Sequence, residues 1–528
     1  MKVEIKKVGI NGEGIGYIDH LPVFVPKAMI GEIVDIKITE KNKRYARGEV
    51  LKIVSKNKDR MQPKCHLQHV CGGCSLMHVR YPKQLEYKRE ILKQSLIKYA
   101  QVDPRRISNV LPSEDIFAYR NQFKMPCGID EGYLESGMFL PNSNYFLGIK
   151  KCIIHDKGLE EIRREIMKVL NNAHMEAYSH KTKKGLRNLI VRGFDGKYQC
   201  TLVTGENEIG ASLIQKLMQI KGMYSLWQSV HTTKKTTEVF GKKVVLLAGE
   251  KYLPLQLEDI QLQISPRSFF QLNTKQAIQL YRNIAAMIPA KCNLLVEAYS
   301  GIGGISMYLK DKAKEIIGIE SIKDAVVNAN QNAKKNGCEH VSFLCADAAD
   351  KLIYLSKKRN IDVLVVDPPR SGLDDAMLDC ILRSKIKNIV YVSCNPATLG
   401  KNLAVLQNRY RVERIQPIDM FPNTSHIETV VLLSKLKTKK HIDIELHTDE
   451  LDLTSSESKA TYQEIKQYVL DKYGFKVSTL NIAQTKQKCG IKERDNYNKP
   501  KMENSKQPNC PKEKEDAIKD AFRYFQMI

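Results

Sequence analysis

Two stretches of this chain gather side chains that could do chemistry, and both are built on cysteine. Ile389-Val390-Tyr391-Val392 is a short apolar run, β-branched and aromatic, that reads as a buried strand; Ser393-Cys394-Asn395-Pro396 comes directly after it. Cys394 thus sits at the carboxyl end of a strand, where open α/β sheets place their ligands, and the Asn-Pro turn projects its sulfur out of the sheet. A thiolate there can add to an electrophilic carbon. The plainer alternative is a core thiol, since free cysteine is among the most buried residue types. The acids at neighbouring strand ends weigh against it. Cys65, Cys71 and Cys74 form the second stretch, at Cys-x5-Cys-x2-Cys spacing in a loop that contains Gly72 and Gly73. Such a loop can wrap a metal centre, and thiolate ligation suits a 4Fe–4S cluster or a tetrahedral zinc without separating them. A fourth ligand has to come from elsewhere, and Cys127, Cys152, His66, His69 and His78 are the candidates.

A series of strand ends accompanies Cys394. Leu294-Leu295-Val296-Glu297 runs into Ala298-Tyr299-Ser300-Gly301-Ile302-Gly303-Gly304, a strand followed by a glycine turn that opens a helix. Such a turn lets a nucleotide-like ligand approach backbone N–H groups. Its spacing is not the Gly-x-Gly-x-x-Gly of pyrophosphate binding, so a cofactor without phosphates, such as S-adenosylmethionine, fits better than NAD. The next strand, Glu315–Glu320, ends in an acid about twenty residues on, the distance at which a carboxylate can bind both ribose hydroxyls. Val341–Asp347 places Asp347 where an acid can hold an adenine amino group. Asp362–Val366 leads into Asp367-Pro368-Pro369-Arg370, where two prolines fix a rigid turn and present Asp367 at a set angle. Beyond the Cys394 strand, a helix from Ala397 to about Asn408 precedes Ser425-His426-Ile427-Glu428 and the apolar run Val430–Leu433. Any one of these could be a structural turn or a solvated acid. Taken in order they are the carboxyl ends of parallel strands, which share one crevice in a doubly wound sheet.

The rest of the chain must position these groups. Residues 1–58 alternate short β-like runs with Gly-rich turns, which predicts a small OB-like barrel. Residues 59–261 carry the cysteine loop, an amphipathic basic helix over 82–100, and mixed β and helix patterns expected to form an α+β domain. Within it, Tyr119-Arg120-Asn121-Gln122 and Gly185–Arg192 supply Arg and amide side chains of the kind an RNA-handling surface uses. Residues 262–437 alternate helix and strand, and Ser268–Asn273 introduces a helix to about 287. Residues 438–528 read as a small α-rich extension. It holds a capping box at Thr454–Glu457, a helix over 460–473 ended by Gly474, a second over 477–488, a linker over 500–511 and a closing helix through Phe525. The expected whole is a multi-domain α/β protein.

Lys and Arg number 84 against 59 Asp and Glu, a net charge of +25, which favours a polyanionic partner such as RNA. No apolar run reaches the roughly 20 residues of a membrane span, and Met1–Ile10 lacks a signal-peptide core, so the expected location is cytoplasmic. In a reducing compartment, thirteen cysteines favour metal binding or chemistry over disulfides.

Family resemblances extend this reading. Gly12-Glu13-Gly14-Ile15-Gly16-Tyr17 resembles the TRAM domain, an RNA-binding barrel. The Asp-Pro-Pro-Arg, Ser-Cys-Asn-Pro and His-Ile-Glu segments, in this order, resemble the RNA uracil-5-methyltransferases, a class I S-adenosylmethionine-dependent family, over residues 1 to about 437. The resemblance implies that Cys394 adds to carbon 6 of uracil and that Glu428 is the general base. It implies cofactor contacts from Gln271, Tyr299, Gly304, Glu320, Asp347 and Asp367. It also makes Cys152 the fourth ligand beside Cys65, Cys71 and Cys74, with the histidines as bystanders and a 4Fe–4S cluster rather than zinc. Because the related transfer-RNA enzymes generally lack that loop, the implied substrate is 23S ribosomal RNA before transfer RNA; a monomer is expected. Ser300 and Gly304 depart from the residues relatives often carry. Since a free thiol is only slightly ionised at neutral pH, the site is expected to lower the Cys394 pKa. Two other functions compete: an N-methyltransferase using Asp-Pro-Pro on an exocyclic nitrogen, and a non-catalytic, cluster-containing RNA-binding protein.

Overall fold

The computed structural model describes residues 1–141, 143–234, 236, 238–289, 292–436, 462–475, 477–489 and 511–525. Five strands, β1 (Lys2–Val8), β2 (Gly14–Ile18), β3 (Leu21–Val25), β4 (Ile33–Lys41) and β5 (Ala46–Ser55), close into a barrel in the order β1-β2-β3-β5-β4. Alternate residues point inward, and Val3, Ile5, Val23, Val25, Val34 and Ile36 fill the interior. The Tyr87 hydroxyl accepts from the Ile30 N–H at 3.0 Å and Lys27 Nζ donates to the His69 carbonyl at 2.6 Å, so the barrel is tied both to the cysteine loop and to the helix over residues 81–100.

A second sheet contains β6 (Gln122–Asp130), β7 (Tyr133–Phe139), β8 (Phe146–Gly148), β9 (Leu186–Phe194), β10 (Lys197–Thr204), β11 (Met223–Val230) and β12 (Val244–Gly249), in the order β12-β11-β10-β9-β6-β7-β8. The helices Lys157–Asn172 and Ala211–Met218 cover one face, burying Leu159, Ile162, Ile166 and Leu217 against Met125, Leu189, Val191 and Leu202. The hairpin of β13 (Leu253–Leu257) and β14 (Ile260–Ile264) belongs elsewhere: its leucines and isoleucines pack in one core with β15 (Cys292–Ala298) and the helix Thr274–Met287. The boundary expected at 261/262 therefore runs through a hairpin of the last sheet's layer. The helix Tyr81–Ala100 crosses the expected boundaries too, since Leu92, Leu96 and Ala100 pack with Leu399, Leu403 and Leu406.

The last sheet carries the order β17-β16-β15-β18-β19-β21-β20, with β16 (Ala313–Glu320), β17 (Val341–Cys345), β18 (Val363–Val366), β19 (Asn388–Ser393), β20 (Tyr410–Ile418) and β21 (Glu428–Lys435). Strands β15 to β19 run parallel, while β21 pairs antiparallel with both β19 and β20. Parallel strands buried on both faces read as continuous apolar runs, as Val363–Val366 does. The strand order reverses between β15 and β18, and a crevice opens outside the strands' carboxyl ends at such a point.

Residues 437–528 form a separate unit. Its helices Tyr462–Tyr473, Thr479–Lys488 and Lys512–Tyr524 bury Ile465, Val469, Ile482, Ile518 and Phe522 together. Gly474 ends the first at φ 74°, and a capping box of Ser478 and Asn481 starts the second. The box expected at Thr454–Glu457 and the linker at 500–510 lie outside the described residues. Among the described residues no helix is long and apolar enough to cross a membrane.

Candidate active site

Strand register brings the candidate nucleophile and base together. Ser393 on β19 pairs with Thr429 on β21, so Cys394, one residue past the ladder, comes alongside Glu428, which itself pairs with Ile418 on β20. On the other side, Val366 on β18 pairs with Tyr391 and with Ala298, which sets Asp367 beside Tyr299 and the end of β19. Asn395 caps the helix Pro396–Leu406 by accepting from the Ala397 N–H at 3.1 Å, and its amide donates to the Arg370 carbonyl at 3.1 Å. The Asp-Pro-Pro-Arg and Ser-Cys-Asn-Pro turns are thereby locked to each other. Cys394 opens on a cleft of about 140 Å³ lined by Arg370, Asn395, Pro396, Ser425, His426 and Ile427, by the buried Ile91, and by the exposed barrel residues Ile10 and Asn11.

The electrostatics contradict one expectation. Burial pushes the Cys394 thiol up to about 11; the Glu428 carboxylate adds to the rise and the Arg370 guanidinium opposes it. The site does not lower this pKa, because the sulfur has lost water and faces acids. Asp367 is pushed up to about 7 by burial. Glu428, 3% exposed, is held well above the carboxylate range by burial and by Asp367, again against Arg370. A carboxyl group raised in this way is a base suited to neutral pH. His426 is brought down to about 4 by burial and stays neutral there.

The loop that ends in Glu428 is held from distant parts of the chain. Lys88, wholly buried on the helix Tyr81–Ala100, pairs with the equally buried Asp419 and donates to the Phe421 carbonyl at 2.9 Å. Gln84 Oε1 accepts from the Asn423 N–H at 2.8 Å, where Asn423 takes a left-handed φ of 68°. The Tyr119 hydroxyl donates to the Pro422 carbonyl at 3.0 Å, and Ser75 Oγ accepts from the Ser425 N–H at 3.1 Å.

Tyr299, Gly304, Glu320, Asp347 and Asp367, five of the six candidate cofactor contacts, end or closely follow parallel strands. Glu320, at the end of β16, accepts from the Gly301 N–H at 3.0 Å and the Ile322 N–H at 2.9 Å, so it ties the glycine turn to its own strand. Gly303, at φ 81°, lies where an added Cβ would come within 2.3 Å of the Phe343 ring. Only glycine fits. Tyr299 shares the left-handed backbone, φ 65°, and Gly304 starts the short helix Gly304–Tyr308. The strand before Asp347 stops at Cys345; Asp347 is exposed and caps the helix Ala348–Lys358, accepting from the Ala349 and Asp350 N–H groups at 3.0 and 3.1 Å. Gln271 is buried, and its carbonyl accepts from Asn121 Nδ2 at 2.9 Å; among the described residues its side chain has no hydrogen bond to the glycine turn. Glu297, to which no motif assigns a role, is buried beneath the turn, where it accepts from the Ser306 N–H at 2.8 Å and is pushed up to about 8 by burial.

Cys65, Cys71, Cys74 and Cys152 line one small pocket with Leu67, Met77, Ile149, Ile153 and Ile154. Of the five candidates for the fourth ligand, only Cys152 reaches it. Cys127 is buried in the core under β6. The Cys152 N–H donates to Glu160 at 3.1 Å, and Glu160 also meets His155 at 2.6 Å and Arg163 at 3.0 Å. Burial lifts the Cys74 thiol to about 12. Among the described residues no three Cys, His, Asp or Glu side chains lie close enough to hold a metal ion as placed.

The two expected RNA-handling segments turn largely inward. Arg192 is buried, donates to the Ser268 carbonyl at 2.6 Å, and is brought down to about 10 by burial. Asn121 also bonds Thr274 Oγ1 at 2.9 Å, and Arg187 donates to the Thr233 carbonyl at 2.8 Å. Arg192 and Asn121 clamp the second sheet to the segment over residues 268–274, and Arg187 holds the loop between β11 and β12.

Comparison with known proteins decides the family. Residues 80–436 match the tRNA (uracil-5-)-methyltransferase family, and residues 1–51 match the TRAM domain. The chain belongs to the tRNA (uracil-5-)-methyltransferase family. An uncharacterized RNA methyltransferase of Clostridium tetani is 34% identical over 445 residues, covering 83% of this chain and 96% of that one. One from Halalkalibacterium halodurans is 35% identical over 442 residues, covering 81% and 95%. The fold is similar to that of Pyrococcus abyssi tRNA (uracil-54, C5)-methyltransferase in complex with S-adenosyl-L-homocysteine, with TM-score 0.66, 26% identity, and coverage of 82% of this chain and all of the other. This methyltransferase is thus an S-adenosylmethionine-dependent RNA enzyme of α/β fold whose N-terminal barrel is a TRAM domain.

Proposed function

We propose that this methyltransferase places a methyl group on carbon 5 of a uridine in RNA through a covalent adduct of Cys394. The register that sets Cys394 beside Glu428, with Asp367 and Arg370 at the same crevice, carries the reading. Carbon 5 of uracil is a weak nucleophile. When the Cys394 thiolate bonds to carbon 6, the ring electrons shift to carbon 5, which can then take a methyl group. S-adenosylmethionine supplies that group when bound. Glu428 then removes the proton from carbon 5, and the Cys394–carbon 6 bond breaks to return the thiolate. The target base must leave its stack to enter the cleft. Glu320, Asp347, Tyr299, Gly304, Gln271 and Asp367 are the proposed cofactor contacts. Asp367, whose charge acts on both Cys394 and Glu428, is also a proposed contact of the reacting ring.

The proposed RNA is 23S ribosomal RNA. Four sulfurs walled by apolar side chains, with no carboxylate in the lining, suit a thiolate-held 4Fe–4S cluster, with zinc as the lesser alternative. Cys65, Cys71, Cys74 and Cys152 would hold it, joining the 65–74 loop to the segment before the helix Lys157–Asn172. Transfer RNA is the second reading, favoured by the similarity to the Pyrococcus abyssi protein. RNA carrying 5-fluorouridine tests both readings, because fluorine at carbon 5 cannot leave as a proton and the adduct is trapped. A denaturing gel should show a shifted ribosomal-RNA band that Cys394→Ala abolishes. A band only with transfer RNA would reverse the substrate assignment, and none with either RNA would refute the mechanism.

A further inference from the structure

The barrel does more than adjoin the catalytic domain: its β1–β2 turn reaches the cleft at Cys394, which Ile10 and Asn11 line together with Arg370 and His426. Both are on the surface, Ile10 44% exposed, whereas Gly12 beside them is buried. The turn is held rigidly. The Gly9 N–H donates to the Glu13 carbonyl at 2.7 Å and the Gly12 N–H to the Gly9 carbonyl at 2.9 Å. Gly12 takes φ 87°, and a Cβ there would lie 3.1 Å from Leu76 and 3.2 Å from Ser425. The turn is therefore fixed against the same loop that carries Ser425 and leads to Glu428. The tip is exposed at Ile10 and at Asn11, whose Nδ2 donates to Glu13 Oε1 at 3.3 Å; that bond steadies the amide and leaves its second N–H able to donate and its oxygen able to accept.

We propose that Ile10 and Asn11 read the nucleotide adjoining the target uridine, which makes the barrel a specificity element of the active site. When a base is extruded into the cleft, its neighbours in the strand must cross the rim. Single-stranded RNA is recognised by contact with base faces and by hydrogen bonds to base edges. Ile10 offers the first and the Asn11 amide, both donor and acceptor, the second. The inference rests on the proposed uridine chemistry, and the test separates the two.

Short RNAs carrying one 5-fluorouridine, with each of the four nucleotides placed in turn on either side, are incubated with the full-length protein and S-adenosylmethionine. The rate of adduct formation is measured for each. The wild type should discriminate among flanking nucleotides by about ten-fold, the usual cost of one mismatched contact. Asn11→Ala and Ile10→Ser, changes at exposed positions, should compress that spread to about three-fold or less with unchanged melting temperature. A variant that keeps the wild-type spread, or a wild type that traps every flank equally, overturns the inference while leaving the uridine chemistry intact. No adduct from the wild type on any RNA refutes the uridine chemistry, and the inference with it.

Discussion

The raised thiol of Cys394 has a kinetic signature. With a pKa of about 11, only ~0.01% of the thiol is ionised at pH 7 in the free enzyme, and each further pH unit multiplies that fraction about ten-fold. Adduct formation on 5-fluorouridine RNA, monitored in single turnover by denaturing gel, should therefore climb steeply between about pH 6.5 and 8.5. The slope should fall somewhat short of ten-fold per unit, because Asp367 ionises near pH 7 and Glu428 above the usual carboxylate range, and each new negative charge lifts the thiol further. The Arg370 guanidinium opposes that rise at Cys394. Arg370→Met should slow trapping by about ten-fold at every pH, the effect of one pKa unit, or 1.36 kcal/mol, and leave the steepness in place. A rate that is level across this range would show that the thiol is already ionised when RNA binds, or that a step before addition limits. The first result refutes the argument from burial.

The same geometry has other consequences. Glu428→Gln should still form the carbon 6 bond but stall before elimination, so ordinary uridine RNA should give a protein–RNA band that wild type does not accumulate; a clean loss of every adduct would place Glu428 before addition instead. Lys88→Met leaves Asp419 charged and buried, which should cost about 3–5 kcal/mol, and Lys88→Met with Asp419→Leu should recover most of it in denaturant unfolding. Glu297 has a folded pKa of about 8, above its ordinary value of 4.5, so its contribution to stability is complete below about pH 4.5 and disappears as pH rises through 8. Glu297→Gln should flatten the fall of melting temperature across that window. Gly303→Ala combines a left-handed φ with a 2.3 Å approach to Phe343, and calorimetry should show the loss of S-adenosylmethionine binding.

What sequence alone could reveal depended on whether the cause of a feature was local. The apolar runs Val363–Val366 and Ile389–Val392, the glycine turn, the prolines after Asp367 and Gly474 all announce themselves because burial periodicity and turn chemistry act within a few residues. The alternation of Leu253, Leu255 and Leu257 is equally clear, but it is the same whichever core the hairpin joins, so its place in the last sheet's layer was not legible. For Arg192 and Asn121 the sequence shows a polar side chain and hides its partner, here a backbone carbonyl 76 and 150 residues away, so an inward clamp looks like an RNA-facing group.

The loop before Glu428 shows the same limit at its most consequential. Glu428 stands out by its motif, yet nothing near it in the sequence dictates where its carboxyl group lies. Its approach is set by Lys88 on Asp419 and Gln84 on Asn423, pairs separated by 331 and 339 residues, and by Ser75 on Ser425. Both partners of the first pair are wholly buried, and a charge removed from water is tolerated only while its partner is in place. The loop is therefore held in this form by the docked helix Tyr81–Ala100, and Gly12 of the barrel lies against that same loop at Ser425. The TRAM barrel, the cysteine loop and the helix thus converge on the segment that presents Glu428, the proposed base. A defect in any of them should reach catalysis through the position of Glu428, before it reaches the affinity for S-adenosylmethionine across the switch point.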